Sequence, residues 1–201
     1  MIATVLPIAV LALAISAGPA ADEHLLAGAG AFRDGRFDAA LVEFRVAEQL
    51  GAPEAAPYAA AALVKLGRPE DALEAFASSP PGGDELLDWY RALACYDARL
   101  YGCADRLLAR LTGAGPKTAA AARELRARID RVLAPVPSIA SVNWYLARCE
   151  ERRAQRRSVL AAAYCREAAD LGARRPDRHG VAQATAALAR PEPAALQGGR
   201  R

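Results

Sequence analysis

The sequence predicts an all-α protein in which antiparallel helical hairpins stack as an α-solenoid, and three observations lead to this prediction. A ten-residue pattern at 35–44 returns 32 residues later at 67–76. Clusters of Gly and Pro divide the chain into segments of helical length. Within one segment, Leu86, Tyr90 and Leu93 recur at helical spacing. Self-similarity at a fixed period indicates that the hairpins are stacked units.

The repeat consists of aligned columns of small and apolar residues, with the third copy the weakest. Small residues let two crossing helices approach closely, while a large apolar residue one turn away fills the remaining gap. A generic Ala-rich helical bundle that happens to match itself is the alternative interpretation. The columns are Gly35, Gly67 and Arg99; Ala40, Ala72 and Ala104; Phe44, Phe76 and Leu108; Gly28, Ala60 and Ala92; and Ala31, Leu63 and Cys95.

These columns resemble those of the tetratricopeptide repeat (TPR), a helix-turn-helix unit with small and aromatic positions. The resemblance covers residues 22–116 and becomes diffuse beyond them. The period is 32 here, against about 34 in the family. His24, Ala56 and Asp88 fill the family's Trp column, and Arg99 replaces the Gly of the turn.

The resemblance implies a concave face, formed by the first helix of each hairpin, that binds an extended peptide or a helix. A second interpretation is that Phe32, Val64 and Tyr96 only pack against neighbouring repeats. The expected partner-binding residues are Leu25, Phe32, Arg33, Val64, Lys65, Trp89, Tyr96 and Asp97, with Ala29, Ala61 and Leu93 on the same face.

The N-terminus has the character of a secretory signal peptide at residues 1–20. Residues 2–17 are almost entirely apolar, and small residues follow, so cleavage is expected before Ala21. Asp22 and Glu23 after the run favour export of the downstream chain. The protein is therefore expected in the periplasm or cell envelope. An uncleaved helix that anchors the chain in the inner membrane is the alternative.

The Gly and Pro residues that interrupt helices also predict further helices and a domain organisation. Three TPR-like units are expected at 21–116, further hairpins and a capping helix at 117–190, and a disordered tail at 191–201. Thr118 is the expected cap of a helix that ends near Leu133. Residues 139–172 form either one long helix or, as we prefer, two helices with a bend between them. The expected helices are 22–34, 37–50, 54–66, 69–78, 84–99, 102–112, 118–133 and 181–189, besides those in 139–172.

Charge is distributed asymmetrically along the chain. Residues 1–100 hold 7 basic and 14 acidic residues, a net of −7, whereas residues 101–201 hold 19 and 9, a net of +10. The asymmetry indicates either an anionic partner or ordinary solvated faces in an Arg-biased chain. Nucleic acid is not expected, because export of the chain is expected and the chain has few aromatic residues for base stacking. The centre of the predicted basic patch is Arg152, Arg153, Arg156 and Arg157.

Four cysteines are present, and an even number in an exported chain permits disulfides. Cys95 and Cys103 flank a predicted turn and form the favoured pair. However, Cys95 and Cys149 also suit buried packing thiols. Cys149 is expected near its turn and Cys165 well down the returning helix, too far apart to bridge.

The sequence contains no recognisable catalytic or metal-binding constellation. The histidines are His24 and His179, and neither is close in sequence to a Cys or part of a Ser-His-acid set. We therefore expect no cofactor, no metal and no intrinsic enzyme. The leading hypothesis is a non-catalytic scaffold for protein or peptide binding. A structural subunit of an envelope assembly and an accessory domain of an enzyme complex remain alternatives, and the oligomeric state stays open.

Overall fold

A computed structural model describes residues 18–190 and divides the chain into two compact units, Met1–Ala134 and Pro135–Arg201. The predicted signal or anchor segment and the predicted tail at 191–201 lie outside the described residues, apart from Gly18, Pro19 and Ala20. Within the described residues the regular structure is helical throughout, so the all-α prediction is confirmed. Consecutive helices within each unit pack against one another.

The first unit contains seven helices in its described part. Two short 3₁₀ turns, Phe76–Ser78 and Leu111–Gly113, extend α4 and α6. Asp84 caps α5 by accepting hydrogen bonds from the backbone N–H groups of Leu86 and Leu87. The helices are α1 (Pro19–Arg33), α2 (Phe37–Gln49), α3 (Ala55–Lys65), α4 (Pro69–Ala75), α5 (Glu85–Asp97), α6 (Tyr101–Arg110) and α7 (Pro116–Leu133).

The repeat columns form the core between these helices. Ala40, Ala72 and Ala104 are each fully buried. In the first hairpin, Gly28 lies directly against the Phe44 ring, and a Cβ added at Gly28 would come within 2.7 Å of two ring carbons. The small residue and the aromatic ring therefore complement each other, which is the packing that the sequence columns predict.

The turns at the three predicted repeat positions have the same hydrogen-bond pattern. Gly35, Gly67 and Arg99 have positive φ values of 76°, 71° and 63°. In each turn, the residue that follows donates a backbone hydrogen bond to the carbonyl five residues earlier in the preceding helix. Leu100, for example, donates to the Cys95 carbonyl at 2.8 Å. This is the Schellman ending of a helix, in which a left-handed residue lets the chain reverse. Arg99 keeps the turn although it lacks the conformational freedom of glycine.

The second unit contains α8 (Ile139–Ala154), α9 (Ser158–Ala173) and α10 (Val181–Ala189) in its described part. Residues 139–172 are thus two helices, and Arg156 supplies the left-handed turn with φ 60°. Trp144 and Tyr145 of α8 contact Tyr164 of α9, with ring centroids 6.1 Å and 6.3 Å away. Ser138 caps α8 by accepting a hydrogen bond from the Ser141 N–H.

One sequence prediction about the region after residue 115, the cap of α7, differs from the structure. The helix α7 begins at Pro116, where proline's fixed φ suits the first turn, so Gly115 is the cap and Thr118 is buried inside the helix. In addition, α7 packs on α6 and belongs to the first unit. The first compact unit therefore ends at Ala134.

Candidate functional site

The first candidate site is an apolar pocket of about 30 Å³ in the first unit. Its walls come mainly from the first helices of the three hairpins, α1, α3 and α5. Leu25 and Phe32, both predicted partner-binding residues, line it. We call this surface the hairpin face. The lining residues are Leu25, Ala29, Phe32, Phe44, Tyr58, Ala61, Leu86 and Tyr90.

A cation and three aromatic rings border the hairpin face. The Phe32 ring lies edge-on to Phe37 and to Tyr90, with centroid distances of 5.2 Å and 5.6 Å. Lys65 Nζ lies 5.6 Å from the Phe37 centroid and 5.8 Å from that of Tyr90. The ammonium is attracted to both ring faces, which holds a positive charge at the edge of an apolar surface. Burial raises the pKa of the Tyr90 hydroxyl to about 12.

The other predicted partner-binding residues do not line this pocket. Val64 is buried in the core with 8% exposure, which agrees with the packing interpretation for that residue. Tyr96 is half-buried and packs edge-on against Tyr101 of α6. Trp89 is half-buried, whereas Arg33 and Asp97 are exposed. Partial desolvation raises the pKa of the Asp97 carboxyl.

A second and larger cavity, the polar cleft, was not predicted from the sequence. It has a volume of about 360 Å³ and lies between the start of α3, the loop before α5 and the first turns of α5. Its loop segment follows α4, where the sequence shows only a run of Pro and Gly that marks a break. The lining residues are Pro53, Glu54, Pro57, Tyr58, Ser78, Ser79, Pro80, Gly83, Asp84, Leu87, Asp88 and Arg91.

A buried ion pair supports the wall of the polar cleft. Asp88 and Arg91 are 6% and 7% exposed, and Arg91 donates to Asp88 Oδ1 at 3.3 Å. Arg91 also donates to the carbonyls of Phe76 and Ser79, at 3.4 Å and 2.7 Å, while Asp88 Oδ2 accepts from the Gly82 N–H at 2.7 Å. The pair is therefore satisfied largely by loop backbone, and it ties the loop to α5. Only the helical spacing of Asp88 and Arg91 could have indicated it.

The lining of the polar cleft also includes two buried polar atoms without hydrogen-bond partners and a tyrosine with a raised pKa. Glu54 Oε1 is buried and accepts no hydrogen bond, and Arg91 Nε is buried and donates none. Burial raises the pKa of the Tyr58 hydroxyl to about 12, and the nearby charges of Asp84 and Glu54 raise it further in the same direction. Two carboxylates thus lie within electrostatic reach of one aromatic ring.

The predicted basic patch in the second unit is partly engaged by the protein itself. Arg152 pairs with Glu151 at 3.1 Å, and its side chain is 11% exposed. Arg153 donates to the Ala187 carbonyl of α10 and is 21% exposed. Arg157 is half-buried, and Arg156 is exposed. The four guanidinium groups therefore do not form one open cationic surface.

The structure joins the cysteines in two pairs. Cys95 is bonded to Cys103, the pair favoured by the sequence, with a Cα–Cα distance of 5.9 Å. Cys149 is bonded to Cys165 at 5.2 Å, so the expectation that they are too far apart was wrong. The turn falls at residues 155–157 and leaves the two cysteines at similar distances from it. The expectation that Cys95 and Cys149 are free packing thiols is also wrong, although both are buried.

No family model, curated protein or solved structure matches this chain. Within residues 18–190, no helix has both the length and the apolar character needed to cross a bilayer. The same part of the chain contains no cluster of three or more His, Cys, Asp or Glu side chains suited to hold a metal ion.

Proposed function

We propose that this protein is an exported, non-catalytic scaffold that binds a peptide or a partner protein on the hairpin face. The observation that carries the proposal is the apolar pocket lined by α1, α3 and α5. These are the first helices of the three hairpins, which the TPR resemblance assigns to the binding face. A pocket that three successive hairpins share binds a segment running across them.

The size and borders of the hairpin face suggest how the partner is held. A volume of about 30 Å³ accommodates one small apolar group. Phe32, Tyr90 and the Lys65 ammonium surround that position and add aromatic and cationic contacts. Binding thus combines one buried apolar anchor with contacts at the rim, where most of the specificity arises.

The proposal is tested by crosslinked capture from the native envelope with two matched variants of α1. Ala29 lines the pocket and is half-buried, whereas Ala27 lies two residues away and is exposed. Ala29→Glu places a charge in the apolar pocket and should abolish capture of the specific partner, while Ala27→Glu should retain it. Equal capture by both variants would exclude the hairpin face as the binding surface.

The oligomeric state separates a scaffold from a structural subunit. A scaffold is expected to run as a monomer in size-exclusion chromatography with light scattering, whereas an assembly subunit would form a larger species. A concentration-independent oligomer that covers the hairpin face would overturn the proposal.

Export is tested separately at the N-terminus. Signal cleavage near Ala21 removes residues 1–20 and leaves nearly all of α1, which begins at Pro19. N-terminal sequencing of protein from the envelope fraction should start near Ala21. Recovery of Met1 would instead indicate an uncleaved anchor or a chain that is not exported.

A further inference from the structure

The polar cleft carries an excess of negative charge. Three carboxylates, Glu54, Asp84 and Asp88, and one guanidinium, Arg91, line it, which leaves a formal net charge of −2. Asp88 and Arg91 compensate each other through their ion pair. Asp84 uses one oxygen to cap α5, and Glu54 Oε1 accepts no hydrogen bond. The excess charge therefore resides on Glu54 and Asp84.

The walls of the cleft suit a cation attached to an apolar stem. Tyr58 offers an aromatic ring, and Pro53, Pro57 and Leu87 add apolar surface. A guanidinium stacks on an aromatic ring and bonds carboxylates through its planar fork, while its methylene stem packs on apolar groups. A volume of about 360 Å³ is sufficient for such a side chain. A metal ion is not the expected occupant, since the described residues contain no suitable ligand cluster.

An unpaired carboxylate oxygen on a lining residue identifies the occupant more closely. Glu54 Oε1 lacks a donor and Arg91 Nε lacks an acceptor, although both atoms are buried. Such atoms cost free energy unless a bound group supplies what is missing. A cationic side chain supplies the donor that Glu54 Oε1 lacks.

We propose that the polar cleft binds an arginine side chain of the peptide or protein that occupies the hairpin face. The inference rests on the proposed function in one respect, because Tyr58 lines both cavities and connects them. A bound segment then places a small apolar group between α1, α3 and α5 and an arginine beyond Tyr58. This assigns a sequence preference to the partner.

The cleft can be tested alone with a small probe and an uncharged isostere. N-acetyl-arginine methylamide is titrated into the isotopically labelled protein, and backbone amide shifts are followed by NMR. N-acetyl-citrulline methylamide has nearly the same shape without the charge. The arginine probe should shift the amides of the non-proline residues within 54–58 and 78–91 at millimolar concentration, and added salt should weaken its binding. The citrulline probe should leave them unchanged.

Three variants locate the interaction. Glu54→Gln removes one charge, and Asp84→Asn removes the other while Asn still caps α5. Each substitution should lower the affinity for the arginine probe about tenfold, as expected for loss of one charge-assisted hydrogen bond. Asp38→Asn, at an exposed carboxylate of α2, is the matched control and should not change the titration.

The outcomes separate this inference from the proposed function. Absence of shifts in the cleft at millimolar probe, equal shifts with citrulline, or unchanged affinity in both cleft variants would each overturn the arginine site. None of these results depends on partner capture by Ala29→Glu. Conversely, if the hairpin face fails its test while the probe still binds, the cleft is an arginine site that acts without the hairpin face.

Discussion

At the scale of single residues, the close approach of Gly28 to Phe44 sets the spacing of the first hairpin. A methyl group at Gly28 would lie 2.7 Å from the ring carbons, and the ring is 3% exposed and packed in the core, so one of the two must shift. Gly28→Ala should therefore lower the free energy of unfolding by about 1–3 kcal/mol through overpacking. Thermal or chemical unfolding measures the change.

Gly30 provides the matched control on the same helix. Nothing lies within 4 Å of a Cβ built at Gly30, so Gly30→Ala adds only helix propensity. It should raise the free energy of unfolding by about 0.5–1 kcal/mol. If the two substitutions had the same sign, α1 and α2 would not cross where the repeat columns place them.

The raised pKa of the Tyr58 hydroxyl predicts a loss of stability at alkaline pH. Its pKa is raised from 10.0 to about 12, first by burial and then by Asp84 and Glu54, and burial raises that of Tyr90 to the same value. An acid whose pKa is raised by folding stabilises the protein fully below its unfolded pKa. That contribution is lost as pH rises through the folded pKa. Stability should therefore fall between about pH 10 and 12.

Tyr58→Phe separates this effect from general alkaline unfolding. The variant should lose less stability than the wild type over the same pH range, because it has no hydroxyl to ionise at this position. Phenolate absorbance should show one fewer late-titrating tyrosine. A Tyr58 that titrates with the exposed tyrosines would contradict the burial of its hydroxyl in the cleft.

At the scale of elements, the two disulfides cross the turns of α5–α6 and α8–α9. The bonded cysteines are 8 and 16 residues apart in sequence, and each pair is centred close to a left-handed Arg, Arg99 or Arg156. In the chain-entropy view, closing these loops lowers the entropy of the unfolded chain and so stabilises the folded state by about 2.5 and about 3 kcal/mol. Each bridge thus reinforces a turn that lacks glycine.

Removing each bridge should therefore destabilise the protein by different amounts. Cys95→Ala with Cys103→Ala should cost about 2–3 kcal/mol, and Cys149→Ala with Cys165→Ala slightly more, because its loop is longer. Chemical unfolding of the oxidised protein measures both. Non-reducing peptide mapping is the direct check, and free thiols or a Cys95–Cys149 link would show that the hairpins are not bridged in this way.

At the scale of the whole molecule, period and breakers predicted the all-helical fold and most of the helix bounds. Helix bounds in the first hairpins follow directly from small-residue columns and turn glycines, since these are local signals. The Cys149–Cys165 pair was missed because no Gly or Pro marks the turn at 155–157. The polar cleft was missed because its lining residues, such as Glu54 and Arg91, lie far apart in the sequence and leave no periodic signal in it.

The boundary of the first unit yields the last prediction. The repeats are predicted to end at residue 116, and the next helix, α7, packs on α6, buries Ala122, Leu125 and Ile129, and belongs to the same compact unit. Arg126 Nε also donates to Asp105 Oδ1 at 2.7 Å.

A fragment of residues 18–134 should therefore fold alone and unfold cooperatively. A fragment of residues 18–116 should be less stable, because the apolar side of α6 loses its cover. Circular dichroism during thermal unfolding compares the two, and equal stability would place the boundary of the unit at residue 116.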